Sequence, residues 1–178
     1  MTQPYDVLIA GGGLAGLCLA RQLTREAPLL RVFLAELAAL APRGASSIGE
    51  ALRRAATIVK RRGVVIVVSD LYDDEAAIGQ LRRLARMGHD VIVVHTLSRE
   101  ELTLDVGGAA EFVDLENGRK LMVQPSAARD AYVAAVARWL TTIEQQLRRD
   151  GIEYLRLVAD EPLEPALRRF LLTRRGSS

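Results

Sequence analysis

Residues 64–69 read Val64-Val-Ile-Val-Val-Ser69, five consecutive β-branched residues followed by a serine. Such a run predicts a strand that is covered on both faces, as in a parallel sheet between helical layers. A helix is predicted at Asp74–Met87, ended by Gly88, and a second fully buried strand at Val91–Thr96. Strand, helix and strand with short connections predict a right-handed crossover within a parallel sheet.

The segments on either side continue this alternation of short apolar runs and helical periodicity. The further predicted elements are a strand at Val7–Ala10, a helix at Leu14–Glu26, a strand at Arg31–Glu36, a helix begun by a capping box at Ser47–Glu50 and stopped by Gly63, a hairpin around Asn117-Gly118, a helix capped by Ser126 with the apolar stripe Tyr132, Val136, Leu140, Ile143 and Leu147, a stop at Gly151, a strand at Ile152–Val158 and a helix at Leu163–Leu172. The predicted fold is α/β: one three-layer Rossmann-like domain over residues 1–178. Its five-stranded parallel sheet has the order 2-1-3-4-5, with the hairpin as an excursion.

Composition limits the classes of function. The chain has 178 residues, 49% of them hydrophobic, and a formal net charge of +2. Many of its basic residues occur as Arg-Arg pairs, which we interpret as solvated helix faces; among them are Arg53/Arg54, Arg61/Arg62, Arg82/Arg83 and Arg148/Arg149. Aromatic residues are only 4% of the chain. Because a nucleic-acid surface needs clustered charge and aromatic side chains, nucleic acid is not a predicted partner.

Cysteine use and hydropathy predict a cytoplasmic protein. Cys18 is the only cysteine, so no internal disulfide can form, and a reducing compartment is expected. No apolar run reaches the roughly 20 residues that cross a bilayer. The start of the chain lacks a basic segment followed by an apolar one, so no signal peptide and no membrane segment are predicted in this chain.

A glycine-rich turn follows the first predicted strand. Gly11-Gly-Gly-Leu-Ala-Gly16 fits G-x-G-x-x-G between a strand and a helix, and Glu36 follows Gly16 by twenty residues. The first glycine permits a tight turn, the second lets backbone approach a pyrophosphate, the third permits close packing, and the acid can hold a ribose hydroxyl. The candidate cofactor-binding residues are Gly11, Gly13, Leu14, Ala15, Gly16 and Glu36.

The amino-terminal run resembles a known enzyme class. Tyr5-Asp-Val-Leu-Ile-Ala-Gly-Gly-Gly-Leu-Ala-Gly-Leu-Cys-Leu-Ala-Arg-Gln-Leu23 is similar to the FAD-binding βαβ of flavin-dependent oxidoreductases of the halogenase and monooxygenase type. By that resemblance the glycines would face the FAD diphosphate and Glu36 the adenosine ribose. The likeness ends near residue 36, and the flavin-facing segments and substrate domain of those enzymes have no counterpart.

From about Ala38 to Arg175 the chain resembles the domain-of-unknown-function family fifty-eight, whose members carry a von Willebrand factor A-like domain. The motifs that carry this resemblance are Pro42-Arg-Gly-Ala-Ser-Ser-Ile-Gly-Glu-Ala-Leu52, Val65–Asp70 with Leu71-Tyr-Asp-Asp74, Gly88-His-Asp-Val-Ile-Val-Val-His95, Phe112-Val-Asp-Leu-Glu-Asn-Gly118, Tyr132 and Gly151-Ile-Glu-Tyr154. The family is associated with MoxR-type AAA+ ATPases, which the resemblance implies as partner. The change of family near residues 36–44 suggests a chimera.

The same resemblance implies a Mg²⁺ position at the strand ends. Ser46 matches the second-loop ligand and Asp70 the third-loop ligand, but Gly11–Gly16 stands where an Asp-x-Ser-x-Ser is expected. The alternatives are helix capping for Ser46 and a solvated loop for Asp70, and we favour each of them over metal ligation. We therefore expect an incomplete metal site. His95 is expected to be a structural histidine, and no catalytic residue is predicted.

Three functions follow from these patterns. The first is a non-catalytic von Willebrand A-like protein-interaction module. The second is an FAD- or ADP-binding protein, or a fragment of an oxidoreductase, that uses the glycine turn. The third is an engineered or accidental chimera without an evolved function. The predicted strand order places Asp70 close to a bound pyrophosphate, and repulsion of roughly 2 kcal/mol per like-charge pair would weaken dinucleotide binding.

Overall fold

The protein is represented by a computed structural model, which describes residues 7–10, 47–72, 75–105, 110–113, 120–123 and 125–175. In chain order the elements are β1 (Val7–Ala10), α1 (Ile48–Ile58), β2 (Val64–Ser69), α2 (Glu75–Arg86), β3 (Asp90–Leu97), α3 (Arg99–Thr103), β4 (Ala110–Val113), β5 (Lys120–Val123), α4 (Pro125–Arg149), β6 (Glu153–Val158) and α5 (Leu163–Arg175). The predicted helix at 14–26 and strand at 31–36 lie outside the described residues.

The described residues fall into two compact units. The first contains the residues up to Thr96 together with Leu147–Leu155, and the second contains Leu97–Gln146 and Arg156–Ser178. Helix α4 and strand β6 each contribute residues to both units.

The main sheet has the strand order β1-β2-β3-β6 among the described strands. Strand β1 pairs with β2 in parallel, and β2 pairs in parallel with β3. The α/β class and the parallel sheet are therefore confirmed. The fifth strand, and with it the order 2-1-3-4-5, depends on residues 31–36 and stays a prediction.

Strands β2 and β3 form the centre of the core. Val65–Val68 and Val91–Val94 are all buried, so both faces of these strands are covered, as their continuous β-branched runs predict. Leu52 of α1 and Leu81 and Leu84 of α2 are fully buried as well. Each buried aliphatic side chain of this kind contributes about 1.5–3 kcal/mol to folding.

Two glycines end helices where the sequence places them. Gly88 has φ +87°, and its N–H donates to Ala85 O (2.9 Å) while His89 N–H donates to Leu84 O (3.3 Å). This pair of hydrogen bonds is a Schellman motif, and its left-handed residue is the reason glycine is favoured there. Gly151, with φ +72°, ends α4 in the same way.

Helix α1 differs from its prediction at both ends. Ser47 caps it, accepting from Glu50 N–H at 3.2 Å, but the Glu50 carboxylate does not complete a capping box. It accepts instead from Arg53 and Arg54, and these hydrogen bonds lower the pKa of Glu50 from 4.5 to about 2. The helix also ends five residues before Gly63, so the predicted stop is wrong. The hydrogen bonds of Glu50 with Arg53 and Arg54 therefore take the place of the bond that would complete the capping box.

A complete capping box forms in the second unit instead. Ser98 accepts from Glu101 N–H at 3.1 Å, and the Glu101 carboxylate accepts from Ser98 N–H, which fixes the start of α3. The Tyr132 hydroxyl of α4 donates to Glu101 O at 2.8 Å, which ties the short helix to the long one.

The hairpin and the long helix follow the sequence pattern. Strands β4 and β5 pair in antiparallel fashion, as predicted, although the Asn117-Gly118 turn lies outside the described residues. On α4, Leu140, Ile143 and Leu147 are buried, which confirms three of the five residues of the predicted stripe. The helix begins at Pro125, so Ser126 lies in its first turn and is not its cap.

Candidate functional site

The candidate site lies where the parallel strands end. The register pairs Ser69 of β2 with His95 of β3, and Ala10 of β1 with Val67 of β2. Because neighbouring parallel strands end at the same edge, the carboxyl ends of β1 and β2 lie at one edge of the sheet. Asp70 is the first residue after β2.

The segment Ser69–Tyr72, called here the β2 loop, is held by two local hydrogen bonds. Ser69 Oγ accepts from Leu71 N–H at 3.1 Å, and Asp70 Oδ1 accepts from Tyr72 N–H at 3.3 Å. Leu71 has φ +52° and is buried. A left-handed leucine costs about 1–2 kcal/mol, and its burial together with these hydrogen bonds offsets that cost.

His95 connects the β2 loop to the sheet. Its ring is fully buried, with Nε2 2.7 Å from the Asp70 carbonyl oxygen and Nδ1 2.9 Å from the Tyr154 hydroxyl. A carbonyl oxygen only accepts, so Nε2 carries the proton and donates it. In the neutral ring Nδ1 then accepts from the tyrosine O–H, and this tautomer is assigned from the hydrogen-bond pattern. Both ring nitrogens are bonded, as expected for a structural histidine.

The Tyr154 ring stands edge-on to the imidazole, with centroids 5.8 Å apart and planes at 72°. Three neighbouring elements thus meet at one buried polar pair: the β2 loop, β3 and β6. Because buried polar groups with complete partners tend to fix one geometry, this pair defines the position of the β2 loop.

The metal prediction rests on one described residue. Ser46 lies outside the described residues, as does every candidate cofactor-binding residue from Gly11 to Gly16 and Glu36. Asp70 is exposed, and one of its carboxylate oxygens accepts from the β2 loop backbone. Within the described ranges, no group of three or more His, Cys, Asp or Glu side chains is placed to hold a metal ion. The structure therefore brings Asp70 and His95 together and leaves the other candidates untested.

Sequence reasoning gave Tyr154 no role, although a signal was present. Tyr154 alternates with the buried Ile152, so it occupies an inward position near the start of β6. A buried tyrosine hydroxyl requires a partner, and His95 is the polar one among the buried residues of β3, which are otherwise apolar. Both residues are polar side chains at inward positions of neighbouring strands, and this shared property would have identified them as a hydrogen-bonded pair.

A separate ion-pair cluster lies in the second unit. Arg99 Nε is 2.7 Å from Asp160 Oδ2, and Arg99 Nη2 is 3.6 Å from Glu161 Oε1. The hydrogen bond from Arg99 lowers the pKa of Asp160 below its usual value. All three side chains are more than half exposed, so the cluster fixes the loop after β6 only weakly.

This chain resembles a known protein family and a solved structure. The family described as "Protein of unknown function DUF58" matches residues 24–141, more than half of the chain. The chain belongs to DUF58. The conserved hypothetical protein BatB from Bacteroides thetaiotaomicron has a similar solved structure, with a TM-score of 0.46 and 17% identity over 84% of this chain and 70% of that one. A search of curated proteins found no match.

The DUF58 match changes the predicted boundaries. It begins at residue 24, inside the segment predicted to be flavoprotein-like, and so includes residues 31–36 with Glu36. It ends at residue 141, short of the predicted limit near 175. The flavoprotein resemblance and the predicted junction near residues 36–44 gain no support from it.

None of the helices in the described part of this DUF58 chain is long and apolar enough to cross a membrane.

Proposed function

We propose that this DUF58 chain is a non-catalytic protein-interaction module of the von Willebrand factor A-like type, with an incomplete metal site. Its partner in this proposal is a MoxR-type AAA+ ATPase, and its location is the cytoplasm. Membership of DUF58 is the family-level support, and the geometry of the β2 loop supplies the structural support.

The β2 loop carries the proposal because it is fixed and ends in an exposed aromatic residue. His95, Ser69 and Asp70 hold its backbone, and Tyr72 at its end has 43% of its surface exposed. A tyrosine offers a large contact area at low entropic cost, and a loop that is already ordered loses little freedom on binding. These are properties of a docking loop.

The chemistry of the described edge does not favour a tight Mg²⁺ site. Mg²⁺ takes six oxygen ligands in near-ideal octahedral geometry and is held in proteins by carboxylates together with waters or phosphates. Asp70 is the carboxylate that the β2 loop supplies, and one of its oxygens already accepts from Tyr72 N–H. We derive no function that depends on a bound metal.

Binding to a purified MoxR-type ATPase tests the proposal directly. Calorimetry or surface plasmon resonance should detect binding by the whole chain, and Tyr72→Ala should weaken it at least tenfold, as expected for a central aromatic contact. Leu172→Ala is the matched control, since Leu172 is also exposed but lies on α5 of the second unit. Absence of binding, or equal loss in both variants, would contradict the proposal.

FAD or ADP binding is a second candidate that one observation favours. Strand β1 lies beside β2 in parallel, so Ala10, which precedes the glycine-rich sequence, and Ser69, which precedes Asp70, end their strands at the same edge of the sheet. That edge is the usual dinucleotide crevice of a doubly wound sheet. The nearby Asp70 carboxylate opposes a pyrophosphate, at roughly 2 kcal/mol per charge pair for a separation of about 7 Å.

A titration separates this candidate from the first. FAD, ADP and Mg²⁺ are added singly and together, while melting temperature and absorbance near 450 nm are followed. If a dinucleotide binds at this edge, Asp70→Asn should raise its affinity about thirtyfold, since roughly 2 kcal/mol of repulsion is removed. If neither a nucleotide nor the ATPase binds, the remaining hypothesis is a chimera without an evolved function.

A further inference from the structure

Basic side chains gather at the opposite, amino edge of the sheet in the first unit. The register pairs Val64 with Asp90, and Asp90 N–H donates to Gly63 O at 2.9 Å. The segment that enters β2 therefore lies beside the turn that enters β3. We call the five basic residues of these two segments the basic edge: Lys60, Arg61, Arg62, Arg83 and Arg86.

One contact joins the two halves of the basic edge. A Cβ built on Gly88 would lie 2.7 Å from Arg62 Nε, so the Arg62 side chain passes directly over the turn that ends α2. Arg83 and Arg86 lie in the last turn of that helix. Residues more than twenty positions apart in the sequence thus share one surface.

Within the described part of the chain, the basic edge lacks the ion pairs that other arginines make. Arg53 and Arg54 bind Glu50, and Arg82 binds Asp150 at 2.7 Å. The five residues of the basic edge are exposed, and none of them pairs with a carboxylate among the described residues. The partial negative charge at the carboxyl end of α2 favours Arg83 and Arg86 but leaves their forks open to solvent.

Apolar side chains lie among these charges. Ile58 ends α1 with 56% of its surface exposed, and Met87 follows α2 with 39% exposed. Met87 follows Arg86 directly, and Ile58 lies two positions before Lys60. The surface therefore combines positive charge with exposed aliphatic and thioether groups, and Asp90 is the acidic residue of the two segments.

We propose that the basic edge binds an acidic segment of a partner protein, with its Arg forks on carboxylates and Ile58 and Met87 against apolar side chains. Four of the five basic residues are arginine, whose planar fork matches a carboxylate in bidentate geometry. The net charge of +2 supplies no general attraction to polyanions, and the two segments contain no aromatic residue for base stacking. The proposal rests on the chain being a protein-interaction module and names the chemistry of its partner.

Fluorescence anisotropy with a labelled peptide of repeated Glu-Glu-Leu units tests this binding in the full chain. The charge reversal Arg61→Glu/Arg62→Glu should weaken binding tenfold or more, because two favourable charge pairs become repulsive. The control Arg168→Glu/Arg169→Glu makes the same charge change at another exposed Arg-Arg pair, on α5 in the second unit, and should have little effect. Arg83→Glu/Arg86→Glu tests the other half of the basic edge if the first variant does not fold.

Further measurements compare the acidic peptide with two other negatively charged probes, a nucleic acid and a lipid surface. Binding of the peptide should weaken as salt is raised and should exceed binding to a single-stranded oligonucleotide or to phosphatidylserine–phosphatidylcholine vesicles. Equal loss in the α5 control, or preference for either of those two probes, overturns the proposal. ATPase binding that is insensitive to the basic-edge variants would leave the interaction module standing and remove the basic edge from it. If the peptide binds through the basic edge but the ATPase does not bind, the basic edge stands and the proposed ATPase interaction falls.

Discussion

Replacing His95 by leucine should destabilise the first unit by about 3 kcal/mol. The fully buried ring makes two hydrogen bonds, one to Asp70 O at 2.7 Å and one to the Tyr154 hydroxyl at 2.9 Å. Leucine is close to histidine in volume but bonds to neither group. Removing one partner of a hydrogen bond in or near the core costs about 1–3 kcal/mol, and this substitution removes the partner of two such bonds.

The assay is urea and thermal unfolding followed by circular dichroism, with Cm and Tm as readouts. For a chain of this length, about 3 kcal/mol corresponds to a fall in Tm of roughly 6–12 °C. His89→Leu is the matched control. His89 is the other histidine and is also buried, but its Nδ1 has no hydrogen-bond partner in the described structure. Removing an unsatisfied nitrogen should be neutral or stabilising.

A double-mutant cycle isolates the histidine–tyrosine bond. Tyr154→Phe alone should cost about 1–2 kcal/mol, because it leaves His95 Nδ1 without its donor. The double variant should cost about 1–2 kcal/mol less than the sum of the single ones, since each single variant already breaks the shared bond. The reasoning fails if His95→Leu lies within about 0.5 kcal/mol of wild type, or if His89→Leu costs as much.

The remaining predictions concern glycines, a helix cap and an acidic group. Gly88→Ala should lower stability by about 1 kcal/mol and displace Arg62, whereas Gly79→Ala, in open space within α2, should raise it by about 0.5–1 kcal/mol in urea titrations. Ser98→Ala should lower the Tm by a few degrees, because loss of a capping box costs about 1 kcal/mol. The pKa of Glu50 is lowered to about 2, so its stabilising effect is present above pH 4.5 and is lost as pH falls to about 2; acid unfolding of Glu50→Gln should lack that part of the pH dependence.

The strands and helix ends of the core could be predicted from short stretches of sequence, because runs of β-branched residues and single glycines indicate them. A run such as Val65–Val68 can be buried on both faces only in the middle of a sheet, and the structure places it there. Gly88 and Gly151 were correctly predicted as helix ends, since each adopts a backbone conformation that other residues enter only with strain. The Gly63 stop was wrong because a glycine marks the end of a helix only when the chain uses its left-handed conformation there.

The sequence by itself determined the parallel α/β sheet, its two central strands and the helix stops at Gly88 and Gly151, because their burial and backbone conformation are set by neighbouring residues. Tertiary structure decided the contacts between distant positions. His95 and Tyr154 are 59 residues apart, yet adjacent strands bring them within a hydrogen bond. Arg62 meets the turn at Gly88 only because β2 and β3 pair in one register. Such meetings depend on strand order and register, which no local pattern encodes.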